Sequence, residues 1–267
     1  MEYILSTGTF IGIVNGRNPY LLPDYYKEFD VDGFEFMIFP SFYPILDDII
    51  DKCVQKNIKT PVMHFDKDIG NGIGSPDETD YEKSLSVLDI NLNAAKALGA
   101  KKAVIHLWGR KDSDLYPEII YKRAGEIDKI CKNKGVLPVF ENIFCTHGSP
   151  LKHLENLSGM YPEMRFIMDC RPAQFHGELE KTLRSPIMQK TSHLHVNDYL
   201  GGYMEWEKVN PIKQPRDGII DWNMYFSLLK AAKYNDTVTL EAPSPLAEGV
   251  DAKTLNGSIC FLRENLG

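Results

Sequence analysis

Cysteine is scarce: the 267 residues hold five, at Cys53, Cys131, Cys145, Cys170 and Cys260, an odd number with no C-x-x-C pair. Neither a disulfide framework nor the spacing of a thiolate zinc site is indicated, and the reducing cytoplasm is the expected location. Long apolar runs are also missing. The longest uncharged stretch near the N-terminus, residues 3–16, is interrupted by Ser, Thr, Gly and Asn, and it is shorter than the ~18 apolar residues that a spanning helix needs. The opening Met-Glu-Tyr-Ile-Leu-Ser-Thr-Gly lacks a basic segment followed by an apolar one, so no secretory leader and no membrane anchor are expected. Positive charge is in deficit as well. Thirty Lys plus Arg stand against 37 Asp plus Glu, a formal charge of -7, which argues against a surface built to hold nucleic-acid phosphates. No G-x-G-x-x-G follows the first apolar run and no G-x-x-x-x-G-K-[ST] occurs, so the two phosphate-loop signatures of open nucleotide-binding sheets are absent.

What the chain does have is core material in a regular order. Hydrophobic residues make up 43% and charged residues 25%, with 13 Phe and 13 Tyr, and the length lies near the ~250 residues of one α/β barrel. Short apolar, β-branched or aromatic runs recur at residues 3–6, 33–38, 60–64, 103–107, 137–144, 165–168, 193–196 and 237–240. Helical periodicity separates them. The best-marked helix opens with Ser75-Pro76-Asp77-Glu78, which reads as a capping box with Pro at the first helical position. Tyr81, Leu85, Leu88, Leu92 and Ala95 then follow at three- and four-residue steps up to Gly99. Further helices are expected at 45–54, 117–132, 151–157, 222–232 and 252–262. Strand and helix alternating eight times predict parallel strands joined by crossovers, and the count predicts a single (β/α)8 TIM barrel over residues 1–267. The stretch 197–221 is long for a strand-to-helix connection, which marks it as a lid or as a loop with short structure of its own.

Barrel chemistry gathers at the C-terminal ends of the strands. There the third run ends in His64, the fourth in His106, the fifth in Glu141-Asn142, the sixth in Asp169, the seventh in His195-Val196-Asn197-Asp198 and the eighth in Glu241. Any single one of these reads as an ordinary hydrogen-bonded strand end. Together Glu141, Asp169, His195 and Glu241 put three carboxylates and an imidazole on four successive strands. Crowded like charges raise their pKa values or demand a cation, and this donor set suits one divalent metal: Mn, Mg, Co or Zn. The competing reading is an ion-pair network with Arg171 or Lys190.

This ordered pattern, together with Gly33-Phe34-Glu35 and Val104-Ile105-His106, resembles the xylose-isomerase-like barrels, the sugar isomerase/epimerase and apurinic-endonuclease group. The resemblance spans nearly the whole chain. It implies that Glu141, Asp169, His195 and Glu241 bind one metal, that Glu141 and Glu241 also move protons, and that His64 and His106 contact substrate. One position departs from the family pattern: Pro172 stands where a His three residues after the strand-six Asp is usual, and His176 lies four residues farther on. The function expected is a metal-dependent isomerase or epimerase of a small sugar-like hydroxycarbonyl compound. A metal-dependent phosphodiesterase, related dehydratase chemistry and a catalytically silent sugar-binding barrel are the alternatives.

Other residues read more plainly. Trp108 either stacks on a sugar face or packs under the next loop. His147 and His153 are expected at the surface. His193 shares a strand face with His195 but lies deeper, as a supporting or core histidine. Glu35 is open between partner and bystander. Asp217-Gly218 is a turn, and Cys170, next to Asp169 on a strand, should face away from the site as an inert thiol. Neither a nucleic-acid nor a membrane partner is expected.

Overall fold

The computed structural model describes residues 1–109 and 114–267. Its strands close into a parallel barrel in chain order: β1 (Glu2–Ser6), β2 (Gly33–Met37), β3 (Val62–His64), β4 (Lys102–Ile105), β5 (Leu137–Glu141), β6 (Arg165–Asp169), β7 (Thr191–Val196) and β8 (Thr237–Leu240), with β8 paired back onto β1. The helices among the described residues are α1 (Leu21–Tyr25), α2 (Leu46–Gln55), α3 (Asp68–Gly74), α4 (Glu78–Leu98), α5 (Pro117–Asn133), α6 (Pro150–Met160), α7 (Cys170–Phe175), α8 (Leu179–Arg184), α9 (Trp222–Ala231) and α10 (Ala252–Leu266). None of them is long and apolar enough to cross a membrane.

Two cores follow from the period of two along each strand. Inward residues of one layer, Ile4, Val62, Val104, Val139 and Ile167, form a separate apolar cluster inside the barrel. Outward residues such as Leu5, Phe36, Met63, Phe140, Phe166, Leu194 and Leu240 join the larger cluster under the helices. Helix α2 shows how that outer core is supplied: Leu46, Ile49, Ile50 and Cys53 are buried, while Asp47 and Asp48 occupy its first turn, where carboxylates favour the positive end of the helix dipole.

Helix α4 corrects the expected capping box. Its N-cap is Asp77, whose side chain accepts from the Thr79 amide. Ser75 instead closes α3 in an extended conformation, and its carbonyl is taken by the Arg123 guanidinium, so it is not free to begin the next helix. At the other end Gly99 adopts the left-handed φ of 74° expected of a helix stop. Strand β5 also ends earlier than expected, at Glu141 rather than residue 144. The reason lies in Asn142: its side-chain amide donates to the Asp169 carbonyl and accepts from the Asp169 amide, replacing a ladder pair with a side chain.

Candidate active site

One layer above the inner apolar cluster, the same inward faces turn polar. Val62 is followed at two residues by His64, Val104 by His106, Val139 by Glu141, Ile167 by Asp169, His193 by His195 and Thr239 by Glu241. All are buried except His106, which is partly exposed. Ligand-type atoms of Glu141, Asp169, His195 and Glu241 lie within 4.8 Å of one another, and so do those of His64, His106 and Glu141. The barrel thus brings together six of the seven residues expected at the site.

His195 is the hub. Its Nδ1 lies 3.0 Å from Glu141 Oε1 and 3.2 Å from Glu241 Oε2, and its Nε2 lies 3.0 Å from both oxygens of Glu35. Glu35 Oε2 is also 2.8 Å from His193 Nε2, which is 2.9 Å from Thr239 Oγ1. Asp169 is fixed from three sides. Its Oδ1 accepts from the Arg171 amide and from Asn197 Nδ2, and Asn142 holds its backbone. Glu141 Oε2 lies 2.8 Å from His106 Nε2 and 3.8 Å from His64 Nε2.

The proton inventory of this cluster is short. His64 Nδ1 faces the Phe65 carbonyl at 2.9 Å and must carry the proton there, so its Nε2 is a lone pair aimed toward Glu141 Oε2. Neither of these two buried atoms has a hydrogen bond of acceptable geometry. No Lys or Arg among the described residues forms an ion pair with Glu141, Asp169 or Glu241. Arg171 gives Nη1 to the Val209 carbonyl and Lys190 gives Nζ to the Ser158 carbonyl, so the expected alternative of an ion-pair network with these residues is not formed. A buried carboxylate trio with one imidazole and orphaned lone pairs fits a divalent cation in its donor chemistry.

Electrostatics repeats the pattern. Burial pushes Asp169 up, to about 7, and Glu141 and Glu241 reinforce this against Arg171. Burial also works to raise Glu141 and Glu241, but the His106 and His195 imidazoles beside Glu141, and His195 and Lys67 beside Glu241, hold both carboxyls low. His195 is driven the other way: burial opposes its charge, yet Glu241, Glu35 and Glu141 together lift it well above the usual imidazole range. His64 falls to about 4 through burial and the nearby Lys67 and His106. Without a cation, Asp169 thus keeps its proton to higher pH than Glu141 or Glu241.

Two expectations are corrected. Trp108 is only 1% exposed, gives its indole N–H to the Phe144 carbonyl and packs edge-on against His153. It has no open face for a sugar and packs under the loop. His153 is not at the surface: it is buried between Tyr121 Oη at 2.7 Å and Asp114 Oδ2 at 3.0 Å. His147 is exposed. Cys170 turns its thiol to the Asn197 carbonyl, away from the carboxylates, and burial raises it. The contact that sequence reasoning left open is Glu35 with His195. The signal was present, since Glu35 pairs with Ser6 and Val62 in the inward register, but its partner stands five strands farther along the barrel. Pro172 lies inside α7, and His176 accepts from the Cys145 amide.

Residues 23–263 match the family described as xylose isomerase-like TIM barrel. Among curated proteins no sequence matches. Solved structures that share the fold include a 3-keto-D-glucoside 4-epimerase from E. coli, at 15% identity and a TM-score of 0.70 over 99% of both chains. A D-psicose 3-epimerase from Clostridium cellulolyticum H10, solved with D-tagatose, is 13% identical with a TM-score of 0.74, covering 100% of this chain and 99% of that one. The IolI protein, solved with a bound zinc atom, is 16% identical with a TM-score of 0.73, covering 99% and 96%.

Proposed function

The chain belongs to the xylose isomerase-like TIM barrel family, and from that premise we propose that it is a divalent-metal-dependent isomerase or epimerase of a small sugar-like hydroxycarbonyl compound. The observation that carries this reading is the buried set of Glu141, Asp169, His195 and Glu241, whose donor atoms converge without a Lys or Arg partner among the described residues. These four residues would hold one cation: Mn, Mg, Co or Zn. When bound, the cation polarises a carbonyl and its neighbouring hydroxyl, which makes the α-proton more acidic.

The remaining work belongs to the side chains. Glu141 and Glu241 approach from β5 and from the end of β8, with His195 between them, so one carboxylate takes the α-proton and the other returns it. An enediolate connects the two steps. Burial works to raise both carboxyls, against the imidazoles that hold them ionised in the metal-free cluster, and ionised carboxylates are the form that accepts a proton. His64 and His106, on the β3 and β4 side, would bind substrate hydroxyls, and His106 Nε2 lies 2.8 Å from Glu141 Oε2. Glu35 takes the proton on His195 Nε2 and so presents Nδ1 to the cation.

The test is solvent deuterium uptake by ketoses, sugar acids and inositol derivatives in the presence of metal-loaded protein. Exchange at the α-carbon of one panel member, lost on chelation, supports the reading; binding without exchange across the panel favours a silent barrel. A second reading has one observation behind it. The His64, His106 and Glu141 grouping could hold a further cation beside the first, as a phosphodiesterase would use. The formal charge of -7 weighs against a DNA backbone as its substrate, and efficient incision of an abasic duplex would reverse that judgement.

A further inference from the structure

Away from the barrel mouth carboxylates, a second buried cluster joins segments that the sequence keeps far apart. Asp114 follows β4, Cys145 follows β5, His153 sits in α6, and His176 ends α7. Ligand-type atoms of Asp114, Cys145 and His153 lie within 4.8 Å of one another. Asp114 Oδ2 is 3.0 Å from His153 Nε2, and Cys145 Sγ is 3.7 Å from His176 Nε2. We propose that Asp114, Cys145 and His153 form a zinc site separate from the barrel centre, with His176, beside Cys145, as the nearest further nitrogen.

The spacing suits that ion. Tetrahedral zinc with its usual bond lengths places a nitrogen and an oxygen ligand roughly 3.3 Å apart and a sulfur and a nitrogen roughly 3.6 Å apart. The donor set is also selective. One thiolate, one imidazole and a carboxylate favour zinc over magnesium or calcium, in contrast to the oxygen-rich set on the strands.

The surroundings aim the donors inward. Asp114 Oδ1 accepts from the Thr146 and His147 amides, which turns Oδ2 toward His153. His153 Nδ1 meets Tyr121 Oη at 2.7 Å, and Asn156 donates to the same oxygen. A metal-bound imidazole is held by its second nitrogen in this way. Gly148 leaves the space: a Cβ there would lie 2.6 Å from His153 Nε2 and 2.9 Å from Asp114 Oδ2.

Metal-free, the same atoms share protons. His153 bridges Tyr121 and Asp114, His176 accepts from the Cys145 amide, and Cys145 is a thiol that burial raises above its usual range. Zinc uptake releases the Cys145 proton to solvent, while the His153 proton moves from Nε2 to Nδ1, where it faces Tyr121 Oη, so that thiolate, carboxylate and neutral imidazole meet the cation. No electron is transferred. The gain is a staple that joins the loops after β4 and β5 to α6 through three protein ligands.

Cobalt distinguishes the two centres, since only this one contains sulfur. Cys260 is the exposed cysteine among the five, so the probe protein is the full chain carrying Cys260→Ser, stripped with a chelator and titrated with Co2+. A thiolate-to-cobalt charge-transfer band in the near ultraviolet is expected. It should persist in Asp169→Ala, which breaks the barrel set, and vanish in Cys145→Ser. Zinc analysis should give about two ions per chain for the parent and about one for either variant. Absence of the band in the folded, cobalt-treated parent overturns the proposal, and so does a Cys145→Ser protein that keeps the parent's zinc content. The parent spectrum decides even if Cys145→Ser fails to fold. Loss of zinc in Asp169→Ala with the band intact bears on the barrel centre alone.

Discussion

The two ends of this barrel solve the same electrostatic problem in opposite ways. At the N-terminal end Lys102, the first residue of β4, reaches across to Asp236, the Ser192 carbonyl and the Thr237 hydroxyl. One cation meets one carboxylate and two neutral acceptors, and the charge is balanced by the chain itself. At the C-terminal end Glu35, Glu141, Asp169 and Glu241 surround His195, with His64 and His106 alongside. Here the acceptors outnumber the protons. No Lys or Arg among the described residues plays that part beside Glu141, Asp169 or Glu241, so the imbalance at the mouth marks the place where something from outside completes the set.

Removing the bases at the mouth has the largest effect. In metal-loaded protein, Glu141→Gln and Glu241→Gln should each lower turnover by ~100–10,000-fold, measured as α-proton exchange on the responsive substrate. Near-normal turnover in both variants rejects the two-glutamate mechanism.

A pH experiment sharpens the contrast between the two ends next. In metal-free protein Asp169 holds its proton up to about 7, whereas the unfolded chain releases it near 4. The folded state therefore binds the extra proton between these values, and its contribution to stability falls as pH rises through the window. His64 and His193, lowered by burial, act in the opposite direction, so the measurement is the difference in urea stability between wild type and Asp169→Asn. That difference should move against wild type on the order of 3 kcal/mol from pH 4 to 7, and added Mn2+ should erase the trend. A flat difference without metal would sink the claim that Asp169 holds its proton to about 7.

Smaller effects separate support from ligation. Glu35→Gln should weaken metal binding by ~10–100-fold in a calorimetric titration, because the His195 tautomer is then held by a weaker acceptor. An unchanged affinity would show that β7 alone orients the ring. At the balanced end, Lys102→Met should cost ~1–3 kcal/mol in urea unfolding while leaving metal content and turnover as in wild type. A fall in metal content there would mean that the two ends are coupled.

How far the sequence discloses this arrangement depends on the range of the interaction. Strand-end residues obey a local rule: Glu141 two residues after Val139, or Asp169 two after Ile167, must face inward if the core residue does. The barrel and six of its mouth residues were legible on that basis. Contacts across the barrel were not. Glu35 and His195 are 160 positions apart and meet only because β1 pairs with β8 and closes the ring. His153 looked like a surface residue beside Lys152, but the helix turns it inward to a carboxylate 39 positions away. Cys145 carries no motif spacing because its neighbours come from three other segments. Short α3, α7 and α8 escaped as well, being too brief to show helical period.

The long connection after β7 has a base that one side chain ties. Asp198 Oδ1 accepts from the Tyr199 and Ile220 amides, while Oδ2 accepts from the Arg216 amide and the Trp222 indole N–H. Gly218 lies so near that a Cβ would come within 2.2 Å of Oδ1. Both legs of the loop are thus rooted in a single carboxylate, and the span between them carries exposed Leu200, Tyr203 and Trp206. In evolutionary terms this is a socket whose insert is only partly free. Val209, which takes the Arg171 guanidinium, and Gln214, which reaches the Ala242 carbonyl, tie the insert back to the barrel, so exposed positions such as Leu200 and Tyr203 are the ones open to change.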